Sequence, residues 1–86
     1  MIIEKKTWPE QFEALVSGIK KFDCRLADFN CQVGDTLVLK EWDPITAQYT
    51  GRQLEKHITY ILRTKEAPFW NKEEIEEFGL QIISLE

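Results

Sequence analysis

One eight-residue run, closed by glycine on its N-terminal side, constrains this chain more than anything else in it. The run reads Gly18-Ile19-Lys20-Lys21-Phe22-Asp23-Cys24-Arg25, and Gly34-Asp35 follows nine residues later. Phe22 and Cys24 alternate with charged residues, as in a half-buried strand. An apolar inner face would seat such a strand. Its outer face would then offer an acid and two kinds of base to one small polar ligand.

Upstream, Phe12, Leu15, Val16 and Ile19 recur at helical spacing. Thr7 is the expected N-cap, with Glu10 completing a capping box, Pro9 in the first turn and Gly18 at the C-cap. The pattern predicts a first strand over 2–7, a helix over 9–17 and the charged strand over 20–26. Downstream it predicts a loop over 28–32, a turn at Gly34-Asp35 and a strand over 36–42 ended by Asp43-Pro44. A hairpin tip or connecting loop then runs to Gly51. One long strand over 52–63 follows, with Leu54, Ile58, Tyr60 and Leu62 on one parity and Ile61 and His57 on the other. After a loop, Asn71 caps an acidic helix through Phe78, with Glu73 and Glu74 at its positive end. Gly79 ends that helix, and 80–85 reads as a closing strand. Five short strands and two helices predict an α+β fold with a small sheet that closes on itself.

The 86 residues predict a single domain, 1–86. No run approaches the ~18 apolar residues of a membrane span. The N-terminal residues lack the apolar core of a signal peptide, so a cytoplasmic location is expected. Cys24 and Cys31 are the only cysteines and His57 the only histidine, which fits no zinc pattern. The glycines are too isolated for a phosphate-cradling loop. No cofactor or metal is therefore expected. A net charge of −4 argues against strong sequence-independent binding to nucleic acid. It leaves room for a small basic pocket that takes one nucleotide.

Asp23 and Arg25, two apart, share a strand face. As a surface ion pair they would contribute ~0–1 kcal/mol. At the mouth of a cleft, the planar fork of Arg25 would suit a phosphate or carboxylate. Asp23 would accept from a base amino group or hold Arg25 in place. Lys20 would reach the same cleft through strand twist or its long stem. Arg52 is a candidate second anion contact. Trp42, where an apolar strand meets a polar break, is a candidate stacking platform, and Trp70 is placed similarly.

The run resembles the Gly-x-Lys-x-x-Glu-x-Arg signature of ASCH domains (activating signal cointegrator homology), a branch of the PUA-like β-barrels. Gly18, Lys20 and Arg25 match, and Asp23 stands where glutamate is expected. Val33-Gly34-Asp35, Glu41-Trp42-Asp43-Pro44 and Tyr49-Thr50-Gly51-Arg52 look like the short bacterial and phage form of that domain. The resemblance runs from about residue 3 to the C-terminus. It implies a PUA-like barrel of about five strands, one covering helix and a second short helix near the C-terminus. It also implies recognition of RNA, a nucleotide or a modified nucleoside near Lys20, Asp23 and Arg25.

Some ASCH proteins are similar to an amidohydrolase that deacylates N4-acylated cytidine. Lys20 matches its catalytic lysine, but its threonine falls at Asp23, and a carboxylate is not a hydroxyl nucleophile. The later glutamate is left open among Glu41, Glu55 and Glu66. Catalytic residues therefore stay unassigned, and a binding role is expected over an enzymatic one. A protein-interaction module using Trp42 and Trp70 is the third reading.

Overall fold

Leu37, Val38 and Leu39 are all buried, which marks their strand as the middle of a sheet. The structure, a computed structural model, describes residues 1–64 and 70–79. Among these, β1 (Ile2–Thr7), α1 (Pro9–Val16), β2 (Thr36–Asp43), β3 (Gln48–His57) and α2 (Lys72–Phe78) follow in chain order. The three strands form one sheet ordered β1-β2-β3. β1 runs parallel to β2, in register from Ile2↔Thr36 to Thr7↔Glu41. β2 and β3 are antiparallel, from Thr36↔His57 to Asp43↔Gln48. The described fold is thus α+β, with an open sheet. The predicted closing strand at 80–85 lies outside the described residues.

A parallel pair needs a crossover, and α1 supplies part of it. Its buried side chains are Phe12 and Leu15. Leu15 packs with Leu37 and Leu39, and Ile3, Leu54 and Ile58 close around them. Each such side chain, fully buried, contributes about 1.5–3 kcal/mol. Trp8, not Thr7, occupies the N-cap of α1, and it makes no side-chain cap. Thr7 instead ends β1, buried, its hydroxyl without a partner among the described residues. Past the helix, the Gly18 N–H bonds Leu15 O and the Lys20 N–H bonds Ala14 O at 3.0 Å. Gly18 permits this turn by adopting φ +81°.

The strand expected over 20–26 does not form; residues 20–32 carry no regular structure. Alternation reports that a segment has two unlike sides, but a strand also needs a ladder partner. Side chains anchor this segment instead. Arg25 Nη1 donates to Lys6 O at 3.3 Å, on the outer side of β1. The Lys5 ammonium stands 3.8 Å from the Phe29 ring centroid.

The third strand also shifts, to 48–57 rather than 52–63, because Gln48 and Tyr49 already pair with Asp43 and Trp42. Glu41 then faces the three residues Thr50, Gly51 and Arg52, a bulge that Gly51 accommodates at φ +94°. α2 has the predicted Asn71 cap, and Glu74 completes it as a capping box: Asn71 Oδ1 accepts from the Glu74 N–H at 2.8 Å, and the Glu74 carboxylate accepts from the Asn71 N–H. It carries no buried residue.

Gly34 leads into β2 at φ +98°, its N–H donating to Ile58 O at 2.9 Å. A Cβ there would meet nothing within 4 Å. Gly34→Ala is therefore expected to destabilise the fold by about 1–2 kcal/mol through backbone strain alone, with Gly34→Asn milder. Urea unfolding measures this; an unchanged midpoint for Gly34→Ala would show that the turn relaxes.

Candidate functional site

A cleft of about 480 Å³ opens on the α1 side of the sheet, a size typical of small-molecule sites. Its floor is Leu15, Leu37 and Leu39, so the core that stabilises the fold also underlies the cleft. Residues 18–31 form one wall, and residues 56–63 form the other. Lys20, Asp23 and Arg25 all line it, and so do the rings of Phe22, Phe29 and Tyr60. All three charged residues border this one cleft, from an irregular segment rather than a strand.

Arg25 grips Asp23 with both arms of its fork, Nη2 to Oδ1 at 2.9 Å and Nε to Oδ2 at 2.5 Å. The two side chains are only 23% and 21% exposed. Such a bidentate, charge-assisted pair is stronger than a surface ion pair. The hydrogen bond to Asp23 raises the Arg25 pKa; burial opposes this, and the charges of Asp23 and Asp28 reinforce it. Of the five guanidinium N–H groups, three are thus committed, to Asp23 and Lys6 O. Lys20 is held from the helix: its ammonium donates to Gln11 Oε1 and lies 5.0 Å from the Phe22 ring centroid.

Residues outside the motif complete the lining. Lys21, Lys56, Arg63 and His57 all border the cleft. Among the described residues, five Lys or Arg side chains line it against one acid, Asp23, in a chain of net charge −4. Arg63 Nη2 donates to Cys31 O at 2.8 Å, tying the two walls together. His57 Nδ1 lies 3.4 Å from Thr36 Oγ1. Lys56 was legible in principle, since it shares the parity of Leu54 and Ile58. Arg63 was not, because the predicted strand put it on the other parity with His57 and Ile61, whereas the observed β3 ends at His57. Cys24 and Cys31 are free thiols. No cluster of three metal-ligating side chains occurs among the described residues.

Trp42 and Arg52 are not brought to this cleft. Trp42 faces away from α1, with the Lys6 ammonium 3.8 Å from its ring and Tyr49 edge-on at 4.9 Å. Arg52 is on the α1 side but beyond the cleft. It binds Glu13 Oε1 at 2.6 Å, lies 3.6 Å from Glu41 and covers the Phe12 ring at 4.8 Å. Its pKa is raised, first by the Glu13 hydrogen bond. The bulge lets Thr50 and Arg52 bracket one buried carboxylate: Thr50 Oγ1 donates to Glu41 Oε1 at 2.7 Å. This cluster fastens α1 to the sheet. Of the glutamates left open by sequence, Glu41 is taken up here, neither Glu41 nor Glu55 lines the cleft, and Glu66 lies outside the described residues.

Fold and site together define a small α+β domain with a cationic, aromatic-walled cleft on one face of its sheet. The chain belongs to a family described as a domain of unknown function (DUF3850), which matches residues 2–73. It is similar to the "Uncharacterized 12.9 kDa protein in GpA 3'region" of Escherichia phage P2, 38% identical over 60 residues. That alignment covers 70% of this chain and 53% of the phage protein, so the chain spans about half the length of that relative. No solved structure matches. No helix among the described residues is long and apolar enough to cross a membrane.

Proposed function

We propose that the cleft recognises a base-bearing polar ligand: RNA, a nucleotide or a modified nucleoside. One observation carries this reading. Lys20, Asp23 and Arg25 meet Phe22, Phe29 and Tyr60 around a single hollow whose cations outnumber its acids, although the chain as a whole is acidic. Aromatic faces stack on bases, and cations attract the phosphate or the polar base edge. The ASCH-type reading, with its PUA-like barrel, belongs to the same proposal. It draws support from the strand-helix-strand-strand order and from the common cleft of the motif residues. Binding is argued over hydrolysis because Glu41 is engaged by Thr50 and Arg52 away from the cleft.

A panel of nucleosides, nucleotides and short oligoribonucleotides, screened by thermal shift, tests the proposal. A true ligand at a hundred times its Kd stabilises by about 2.7 kcal/mol, a rise of about 10 °C or more at this size. Lys20→Ala is expected to weaken binding about five- to tenfold, a change of about 1–1.4 kcal/mol, with the melting point of the free protein unchanged. No shift with any member of the panel rejects the proposal.

A further inference from the structure

The cations of the cleft are not equivalent. At one end, Arg25 is bound to Asp23 and to the backbone of Lys6, and Lys6 pairs through β1 with Lys40 of β2. The Arg25 charge is thus neutralised internally. Lys56 pairs with Leu37, three residues back along β2, a displacement of about 10 Å at strand rise. Arg63 meets that same end, since it holds the carbonyl of Cys31, and Cys31 adjoins Gln32, whose N–H binds Asp35 at the entry to β2. His57, opposite Thr36, is there too. Asp35 lies nearby but outside the lining, its oxygens taken by the Met1 ammonium and the Gln32 N–H. Among the described residues, Lys56 has no partner for its charge, as is also true of Lys21 on the other wall, and Arg63 spends a single N–H on Cys31.

We infer that the cleft is a single-nucleotide site, with one phosphate held by Lys56 and Arg63 at the β2 entry and the base lying toward Phe22, Phe29 and the Asp23–Arg25 pair. This rests on the base-binding reading above and narrows it. The volume suits one nucleotide unit rather than a strand. Lys56 and Arg63 bring two cations together at one end, and the remaining free charge, Lys20 and Lys21, stands on the 18–31 wall, whereas a groove that tracks a polyanion needs cations in file along its length. Asp23, locked by Arg25, presents an acceptor suited to an exocyclic amino group.

The test compares the four nucleosides, their 5′-monophosphates and an octaribonucleotide by calorimetry on the full chain, with Lys56→Gln and Arg63→Lys variants. A monophosphate is expected to bind about tenfold or more tightly than its nucleoside. Lys56→Gln is expected to reduce that advantage to about threefold or less while leaving nucleoside affinity unchanged. The octaribonucleotide should gain little over the monophosphate, with a salt slope near −0.7, the value for one neutralised phosphate. Arg63→Lys keeps the charge while disturbing the Cys31 contact, so it should retain most of the advantage. Equal binding of nucleoside and monophosphate, or a Lys56→Gln variant that still discriminates fully, overturns the inference and leaves base binding standing. An octaribonucleotide that binds a hundredfold more tightly, with a steep salt slope, replaces it with strand binding. Absence of binding by every compound overturns both this inference and the proposal beneath it.

Discussion

Leu39→Ala is expected to unfold this domain at 37 °C or to leave it only marginally folded. Leu39 is 1% exposed and lies at the centre of the cluster formed with Leu15 and Leu37. Removing such a side chain costs about 2–5 kcal/mol, the transfer of its methyl groups plus the cavity left behind. A domain of 86 residues has a total stability of about 4–13 kcal/mol at usual per-residue values. Only Phe12, Leu15, Leu37, Val38 and Leu39 are buried apolar side chains among the described residues, so little else can compensate. Urea unfolding followed by circular dichroism measures the loss. Leu39→Met, which keeps the volume, should cost less than about 1.5 kcal/mol. A Leu39→Ala penalty below about 1 kcal/mol would mean that the hydrophobic centre lies elsewhere. Because Leu39 is also cleft floor, any folded remainder should bind ligand poorly.

Arg25→Ala is expected to weaken every ligand of the cleft about ten- to hundredfold, equivalent to about 1.4–2.8 kcal/mol. The substitution has two consequences. It frees the 20–32 wall from the backbone of Lys6, and it strands the Asp23 carboxylate in the cleft without its countercharge. The second consequence gives the variant a distinctive signature. Asp23→Ala combined with Arg25→Ala should recover part of the loss, since the stranded acid is gone. Asp23→Ala alone should weaken binding less than Arg25→Ala, and it should favour phosphorylated ligands because it releases two N–H groups of Arg25. Calorimetric titrations across this double-mutant cycle decide the point. If the double variant binds no better than Arg25→Ala, Arg25 acts by touching the ligand rather than by neutralising Asp23.

The elements that announced themselves in the sequence are those with both a period and a boundary. Phe12 and Leu15 at helical spacing between Pro9 and Gly18 predict α1, and the apolar run between Gly34 and Pro44 predicts β2. The charged run was legible as chemistry and misread as structure. Its alternation around Phe22 and Cys24 is real, yet Cys24 is exposed and the segment meets β1 through side chains, the guanidinium of Arg25 and the Phe29 ring. Ladder partners are long-range facts that a local pattern does not contain. The same gap misplaced β3. A bulge at Gly51 and pairing from Gln48 onward moved the strand toward the hairpin. Parity put Lys56 on the Leu54 and Ile58 face, but no motif ties it or Arg63 to residues 20–25, and the fold sets them across from that wall. Trp42 and Arg52 carry side chains suited to stacking and to anions. Their neighbours Lys6, Tyr49, Glu13 and Glu41 engage them elsewhere.

The parallel pairing of the first strand carries a consequence for how the molecule is assembled. Ile2 and Thr36 are neighbours in space but come from distant parts of the chain, whereas the strands flanking the 44–47 turn can find one another within microseconds. Closing the longer loop costs more chain entropy and slows the search. During synthesis β1 emerges before β2 and docks late, and it must stay harmless while it waits. Its consecutive Glu4, Lys5 and Lys6 are the kind of charged side chains that keep an unpaired ribbon from sticking to its neighbours.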